Sequence, residues 1–206
     1  MDKFTALTAI ACPLDQANVN TDQILPARYL KWTRAMGLGN VLFQDLRFDA
    51  DGNEKPDFPI NKPAWRNAKF VVGARNFGCG SSREAAVYAL YDYGVRCVIA
   101  PSFGDIFSGN AVQNGLVTAV VTDEEAAEIM ETLTRTPDLS MTVDLDQKTI
   151  VCGNKTYNFT IDPVRRMRLL NGWDDIALTE SYRDRIASFK AADKGKRPWA
   201  RPAAGA

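Results

Sequence analysis

The sequence predicts an α/β fold built on a mixed, partly parallel sheet flanked by helices, and three observations carry that expectation. Phe70-Val71-Val72-Gly73-Ala74 and Arg96-Cys97-Val98-Ile99-Ala100 are short apolar runs of strand length, separated by a single amphipathic segment, Ala85–Leu90. A strand, helix, strand order of this length predicts a parallel pair with a right-handed crossover. A further helix and strand follow, and beyond them the apolar period changes to two, which predicts antiparallel pairing.

In chain order, Phe4–Ala11 alternates as an opening strand that ends at Cys12-Pro13. Asn18–Pro26 is polar and turn-forming, and Arg28–Arg34 is either a short helix or an ordered loop. Residues 49–67 are rich in Asp, Asn and Pro without a period, so a long surface excursion is expected there. Phe103–Asn114 reads as a helix stopped by Gly115, Leu116–Val121 as a third strand, and Asp123–Thr134 as a helix capped by Thr122. Met141–Leu145, Thr149–Val151 and Thr156–Ile161 alternate around a Gly153-Asn154 turn. Helices are expected at Val164–Leu170 and Asp184–Ala192, and residues 194–206 form a loosely held tail. The 206 residues and 46% hydrophobic content suit one domain spanning 1–206.

Composition excludes several kinds of chemistry. Net charge is zero and the 25 Lys and Arg residues are scattered, so a broad nucleic-acid or membrane-binding face is not expected. No apolar run reaches membrane-spanning length, and Met1-Asp2-Lys3 leads into a strand-like segment and not a signal peptide, so a cytoplasmic location is expected. Cys12, Cys79, Cys97 and Cys152 lie far apart with no metal-ligand spacing, so no metal site is expected on this chain. There is no histidine, which removes Cys-His and Ser-His-Asp catalysis within this polypeptide.

The chemistry concentrates in Asn76-Phe77-Gly78-Cys79-Gly80-Ser81-Ser82-Arg83-Glu84, between the first buried strand and its helix. Ser81 and Glu84 have capping-box spacing, which predicts a helix beginning at the serines with free N–H groups facing the loop. Those N–H groups, the helix dipole and Arg83 favour a carboxylate or phosphate. The plain alternative is a well-capped helix with a surface arginine, and Gly78 and Gly80 count against it by implying close approach of the backbone to another group. Cys79 suits a small packing residue better than a nucleophile, because no histidine can activate it. Asp22 either stabilises an Asx-type turn or serves the site, and Arg75-Asn76 lies where open α/β sheets place ligands.

With these residues in view, the chain resembles the small subunits of 3-isopropylmalate dehydratase, in the aconitase superfamily, over nearly its whole length. The resemblance rests on Asn20-Thr21-Asp22 with Tyr29-Leu30-Lys31, on the Gly80-Ser81-Ser82-Arg83-Glu84 loop, on Ile99–Phe103 with Asp105-Ile106-Phe107, and on Phe159–Asp162. It implies a swivelling β/β/α domain that is half of a heteromeric hydro-lyase of leucine biosynthesis, isomerising 2- and 3-isopropylmalate through 2-isopropylmaleate. It also implies a large-subunit partner that carries a [4Fe-4S] cluster.

Carried onto this sequence, the resemblance makes Ser81 the base that removes the proton alpha to a carboxylate. Ser82 binds substrate through its N–H, Arg83 clamps a carboxylate, Asp22 is an active-site aspartate and Arg34 a second carboxylate-binding arginine. Leu30, Lys31 and Trp32 face the substrate side chain: Trp32 would floor an apolar pocket, or Lys31 would recognise an extra carboxylate. Ala85 departs from the histidine that many members carry after Ser-Ser-Arg-Glu, which keeps a dehydratase for another malate derivative open. A non-catalytic anion-binding module is the competing class.

Overall fold

The computed structural model describes residues 1–81 and 83–200, which form two compact units divided at Gly172 and Trp173. In the first unit, a seven-stranded sheet has the order β4-β3-β2-β1-β5-β6-β7. Its strands are β1 Ala6–Leu14, β2 Phe70–Gly73, β3 Cys97–Ala100, β4 Val117–Val120, β5 Ser140–Asp144, β6 Thr149–Cys152 and β7 Lys155–Asn158.

β1 is the hinge of this topology. Its first half, Ala6–Ile10, pairs antiparallel with β5, and its second half, Ala11–Leu14, pairs parallel with β2. The strand was expected to stop at Pro13, yet Pro13 lies inside it opposite Val72. A proline is tolerated there because the β5 ladder ends at Ile10, leaving that stretch of β1 with no strand on its other side. β2, β3 and β4 continue in parallel, while β5, β6 and β7 form an antiparallel meander. Beyond β7, Thr160 exchanges backbone hydrogen bonds with Val120 of β4 at 2.8 and 3.1 Å, so the sheet curls until its two ends touch.

Strand alternation divides the interior. Phe70, Val72, Cys97 and Ile99 join Met141, Val143 and Ile150 within the curl, whereas Val71 and Val98 face the other way, against Ala86, Leu90 and Phe107. Both faces of β2 and β3 are thus buried, as a parallel sheet flanked by helices requires.

The helices of this unit are α1 Thr21–Ile24, α2 Gln44–Arg47, α3 Glu84–Tyr93, α4 Asp105–Gln113, α5 Asp123–Arg135 and α6 Pro163–Asn171. α5 carries the expected capping box, with Thr122 and Glu125 bonded reciprocally, and buries Ala126, Ile129, Met130 and Leu133 along one stripe. Each of the three larger side chains contributes roughly 1.5–3 kcal/mol of hydrophobic stabilisation. Arg28–Arg34 resolves as single 3₁₀ turns, Ala27–Tyr29 and Arg34–Met36. The excursion after α2 is less superficial than its composition suggests: Ile60, Asn61, Trp65 and Ala68 are buried, and Asn61 accepts Nε of the buried Arg47 at 3.0 Å.

The second unit holds α7 Asp175–Glu180, capped by Asp174, and α8 Arg183–Lys196 with a 3₁₀ turn at Pro198–Ala200. α7 was not anticipated, and α8 runs four residues past the expected end at Ala192, into the segment read as a tail. Residues 201–206 of that tail lie outside the described residues. Among the described residues no helix is long and apolar enough to cross a membrane.

Candidate active-site loop

The loop after β2 is stitched to its neighbours before it reaches Ser81. The N–H of Phe77 donates to Ser102 O at 3.0 Å, and that of Gly104 returns to Phe77 O at 2.9 Å. Phe77, Phe103 and Phe107 pack as an aromatic cluster with centroids 5.6–6.4 Å apart. Gly78 has φ +73°, and a Cβ placed there would meet the Phe107 ring at 2.2 Å, so only glycine fits. Its N–H donates to Val19 O at 2.7 Å, which draws the residues before α1 alongside the loop.

α1 opens with a capping box formed by Asn20 and Gln23, at 2.8 and 2.9 Å, so Asn20 and not Asp22 makes the local cap. Asp22 is thereby released, and its carboxylate forms an ion pair with Nη1 of Arg83. The Arg83 side chain is only 21% exposed, against 49% for Asp22, so the pair sits at the rim with the cation turned inward. Ser81 is exposed, its carbonyl accepts the Thr21 hydroxyl, and its own hydroxyl has no partner among the described residues. Ser82 lies outside the described residues.

The expected capping box between Ser81 and Glu84 does not form. α3 begins at Glu84 with Arg83 as an extended N-cap, φ −137°, and no side chain caps it. The helix starts two residues later than that box requires, and Glu84 is engaged by Asn114 Nδ2 at 3.0 Å and by the Tyr88 hydroxyl. Burial together with the Glu84 contact pushes the Tyr88 phenol up.

The other sequence candidates separate into two places. Asn76, Cys79, Gly80, Asp105 and Ile106 line a cavity of about 320 Å³ beside Ser81's loop, while Arg75 points instead to Asp123 at the start of α5. Arg34 is not brought to Arg83. Its guanidinium binds Asp92 through Nε and Nη2, near the end of α3, and lies over Tyr88 and Tyr91 at 5.1 and 5.7 Å. The hydrogen bonding to Asp92, above all, raises the Arg34 pKa. Leu30 and Lys31 are exposed, and Trp32 packs edge-on to Tyr29 at 4.9 Å.

Cysteine chemistry is muted in this unit. Burial pushes Cys12 up to about 12 and also raises Cys97 and Cys152; Cys79 alone is partly exposed. Among the described residues no group of three His, Cys, Asp or Glu side chains could hold a metal ion. Sequence reasoning missed Thr21 and Asn114 as partners of the loop. The Asn20-Thr21-Asp22-Gln23 capping spacing was a readable signal for α1, whereas nothing local pointed to Asn114.

A two-faced curled sheet thus carries a serine–arginine loop at the carboxyl end of β2, and an aspartate on α1 pairs with that arginine. A family model described as the aconitase C-terminal domain matches residues 1–124, and a second, LeuD_N, matches 127–163. The 3-isopropylmalate dehydratase small subunit of Afipia carboxidovorans is 48% identical over 97% of this chain and 100% of its own length. That of Rhodospirillum centenum is 47% identical over 97% and 99%. The crystal structure of 3-isopropylmalate dehydratase (LeuD) from Methanocaldococcus jannaschii superposes with a TM-score of 0.65 at 27% identity, covering 90% of this chain and 99% of that one. The chain belongs to the family of 3-isopropylmalate dehydratase small subunits.

Proposed function

We propose that this chain is the small subunit of a heteromeric hydro-lyase that interconverts 2-isopropylmalate and 3-isopropylmalate, by dehydration and rehydration through 2-isopropylmaleate, in leucine biosynthesis. The observation that carries the reading is the end-to-end likeness to such subunits, 48% identical over 97% of the chain, together with the serine and arginine that the loop presents.

In this reading Ser81 is the base. Its oxygen takes the proton alpha to a substrate carboxylate, and the electron pair left on carbon forms the alkene as hydroxide departs from the neighbouring carbon. Re-addition with the opposite regiochemistry gives the isomer, and the Ser81 proton returns to carbon. A hydroxyl is a poor base in water, so Ser81 needs the field of Arg83 and a dry pocket, which a docked large subunit provides. Arg83 clamps one carboxylate through the guanidinium edge that Asp22 leaves free, Ser82 contributes its N–H, and Arg34 takes the second carboxylate. Leu30, Lys31 and Trp32 meet the side chain of the substrate.

The large subunit carries the [4Fe-4S] cluster in this proposal, supplying Lewis acidity to the departing hydroxyl. Residues 1–206 act as one swivelling domain in the cytoplasm, without nucleic acid or membrane as partner.

The test is reconstitution. The chain alone should be inactive, and mixing it with a cluster-loaded large subunit should restore turnover of 2-isopropylmalate. A substrate panel including citraconate and homoaconitate checks the assignment, since preference for either would displace isopropylmalate. Ser81→Ala should abolish turnover while the subunits still assemble, and wild-type rates from that variant would remove the base.

A further inference from the structure

Thr21 is 1% exposed and makes two bonds to the loop that bears Ser81. Its N–H donates to Cys79 O at 3.0 Å, and its hydroxyl donates to the carbonyl of Ser81 itself. The next residue, Asp22, holds Arg83. Two consecutive residues of α1 therefore grip positions 79, 81 and 83. Gly80 permits this: at φ +87° it turns the carbonyls on either side of it toward the same threonine. The Thr21 side chain is too buried to meet substrate, and its neighbour Asp22 occupies the exposed side.

We infer that Thr21 is a positioning residue for the proposed base: its buried hydroxyl fixes the Ser81 backbone, and with it the point from which the Ser81 hydroxyl reaches the substrate. This rests on the reading of Ser81 as the base. The physical argument is one of precision. The Ser81 hydroxyl has no side-chain partner among the described residues, so the place from which it reaches out is set by its backbone, and the backbone at Ser81 is tied by the Thr21 hydroxyl. A reacting group displaced by about 1 Å loses roughly a hundredfold in rate, even when binding is unchanged.

The experiment compares Thr21→Val, Thr21→Ser and Ser81→Ala in the full chain, both alone and reconstituted with its large subunit. Valine keeps the shape and deletes the donor; serine restores the donor without the methyl. Thr21→Val should lower kcat by about tenfold or more with KM within about threefold, the signature of an interaction needed in the transition state alone. Thr21→Ser should recover most of that loss. In the isolated chain, amide exchange across 79–83 should quicken in Thr21→Val and not in Thr21→Ser, a readout that needs no turnover. Wild-type kcat in Thr21→Val, equal losses in both Thr21 variants, or unchanged exchange would each overturn the inference. Should Thr21→Val fail to fold, Thr21→Ala with the same exchange measurement decides it. If Ser81→Ala keeps its activity while exchange still quickens in Thr21→Val, the base assignment falls and the brace stands as purely structural.

Discussion

The carboxylate of Glu84 accepts a hydrogen bond from Nδ2 of Asn114 at 3.0 Å, joining the first residue of α3 to the residue that closes α4. Helix α3 starts at Glu84 with Arg83 as its N-cap, so Ser81 stands two residues ahead of the capping position. Glu84, as the first helical residue, instead uses its carboxylate to tie α3 to α4. Glu84→Ala should therefore cost about 1 kcal/mol, a fall of roughly 2–4 °C in Tm for a chain of this size. Glu84→Gln, which keeps an acceptor oxygen, should lose less than half of that. Thermal unfolding followed by circular dichroism checks both, and equal losses in the two variants would mean that Asn114 is not the partner that matters.

Two glycines two residues apart should behave very differently. Alanine at Gly78 would place a methyl 2.2 Å from the Phe107 ring at φ +73°, whereas at Gly80 the nearest atom, Asn20 Cβ, is 3.4 Å away. Strain and overpacking together put Gly78→Ala at roughly 3–5 kcal/mol. Gly80→Ala pays the left-handed backbone penalty alone, about 1 kcal/mol. Urea unfolding of the two variants measures the difference, and similar midpoints would show that the Phe107 ring simply moves aside.

Elements fixed by neighbours in the chain were legible in the sequence, and those fixed by distant residues were not. The β2-α3-β3 crossover, the Thr122 cap and the late antiparallel strands depend on neighbours in the chain, and local patterns report such neighbours faithfully. The Ser81 and Glu84 spacing is equally local and misled, because the backbone stays extended through Arg83 and α3 starts only at Glu84, whose carboxylate meets Asn114 thirty residues away. Pro13 inside β1 depends on where β5 stops, and the burial of Ile60 and Trp65 depends on which surfaces happen to face them. That Ser81 and Arg83 lie on a loop joining a strand to a helix was readable; the coupling of that loop to Thr21 and Asp22 required the fold to bring residues sixty apart together.

The pH profile of stability should be a plateau with two falling arms. Hydrogen bonds from Arg28, Arg66 and Arg75 hold Asp45, Glu54 and Asp123 below the usual carboxylate range. Groups depressed in the folded state stabilise it above their unfolded pKa of about 4, and that contribution is lost as pH falls through the lower folded values. Cys12 has the opposite sign: burial raises it to about 12, so its contribution is whole below the unfolded thiol value and disappears as pH rises toward 12. With no histidine in the chain, little should change between about pH 6 and 8. Urea midpoints across pH 3 to 10 test this, and a titration centred near pH 6.5 would contradict it.

Arg34 is committed to Asp92, whose position eight residues after Glu84 puts it about 12 Å along α3 from the end that bears Arg83. The Tyr88 and Tyr91 rings lie under the guanidinium, so releasing it means breaking the three charge-assisted bonds to Asp92 and not unpacking a core. If Arg34 grips the second substrate carboxylate, Asp92 competes with the substrate for it. Asp92→Asn weakens that competitor while leaving the rings in place, and should lower KM by about two- to fivefold with kcat little changed, because the bond lost is one that opposes binding. Arg34→Ala should raise KM by about tenfold, as expected for a carboxylate left without its cation. Both constants come from steady-state assays of the reconstituted enzyme. A higher KM in Asp92→Asn would mean that Asp92 aims Arg34 at the substrate and does not withhold it, and an unchanged KM in Arg34→Ala would take this arginine out of the site.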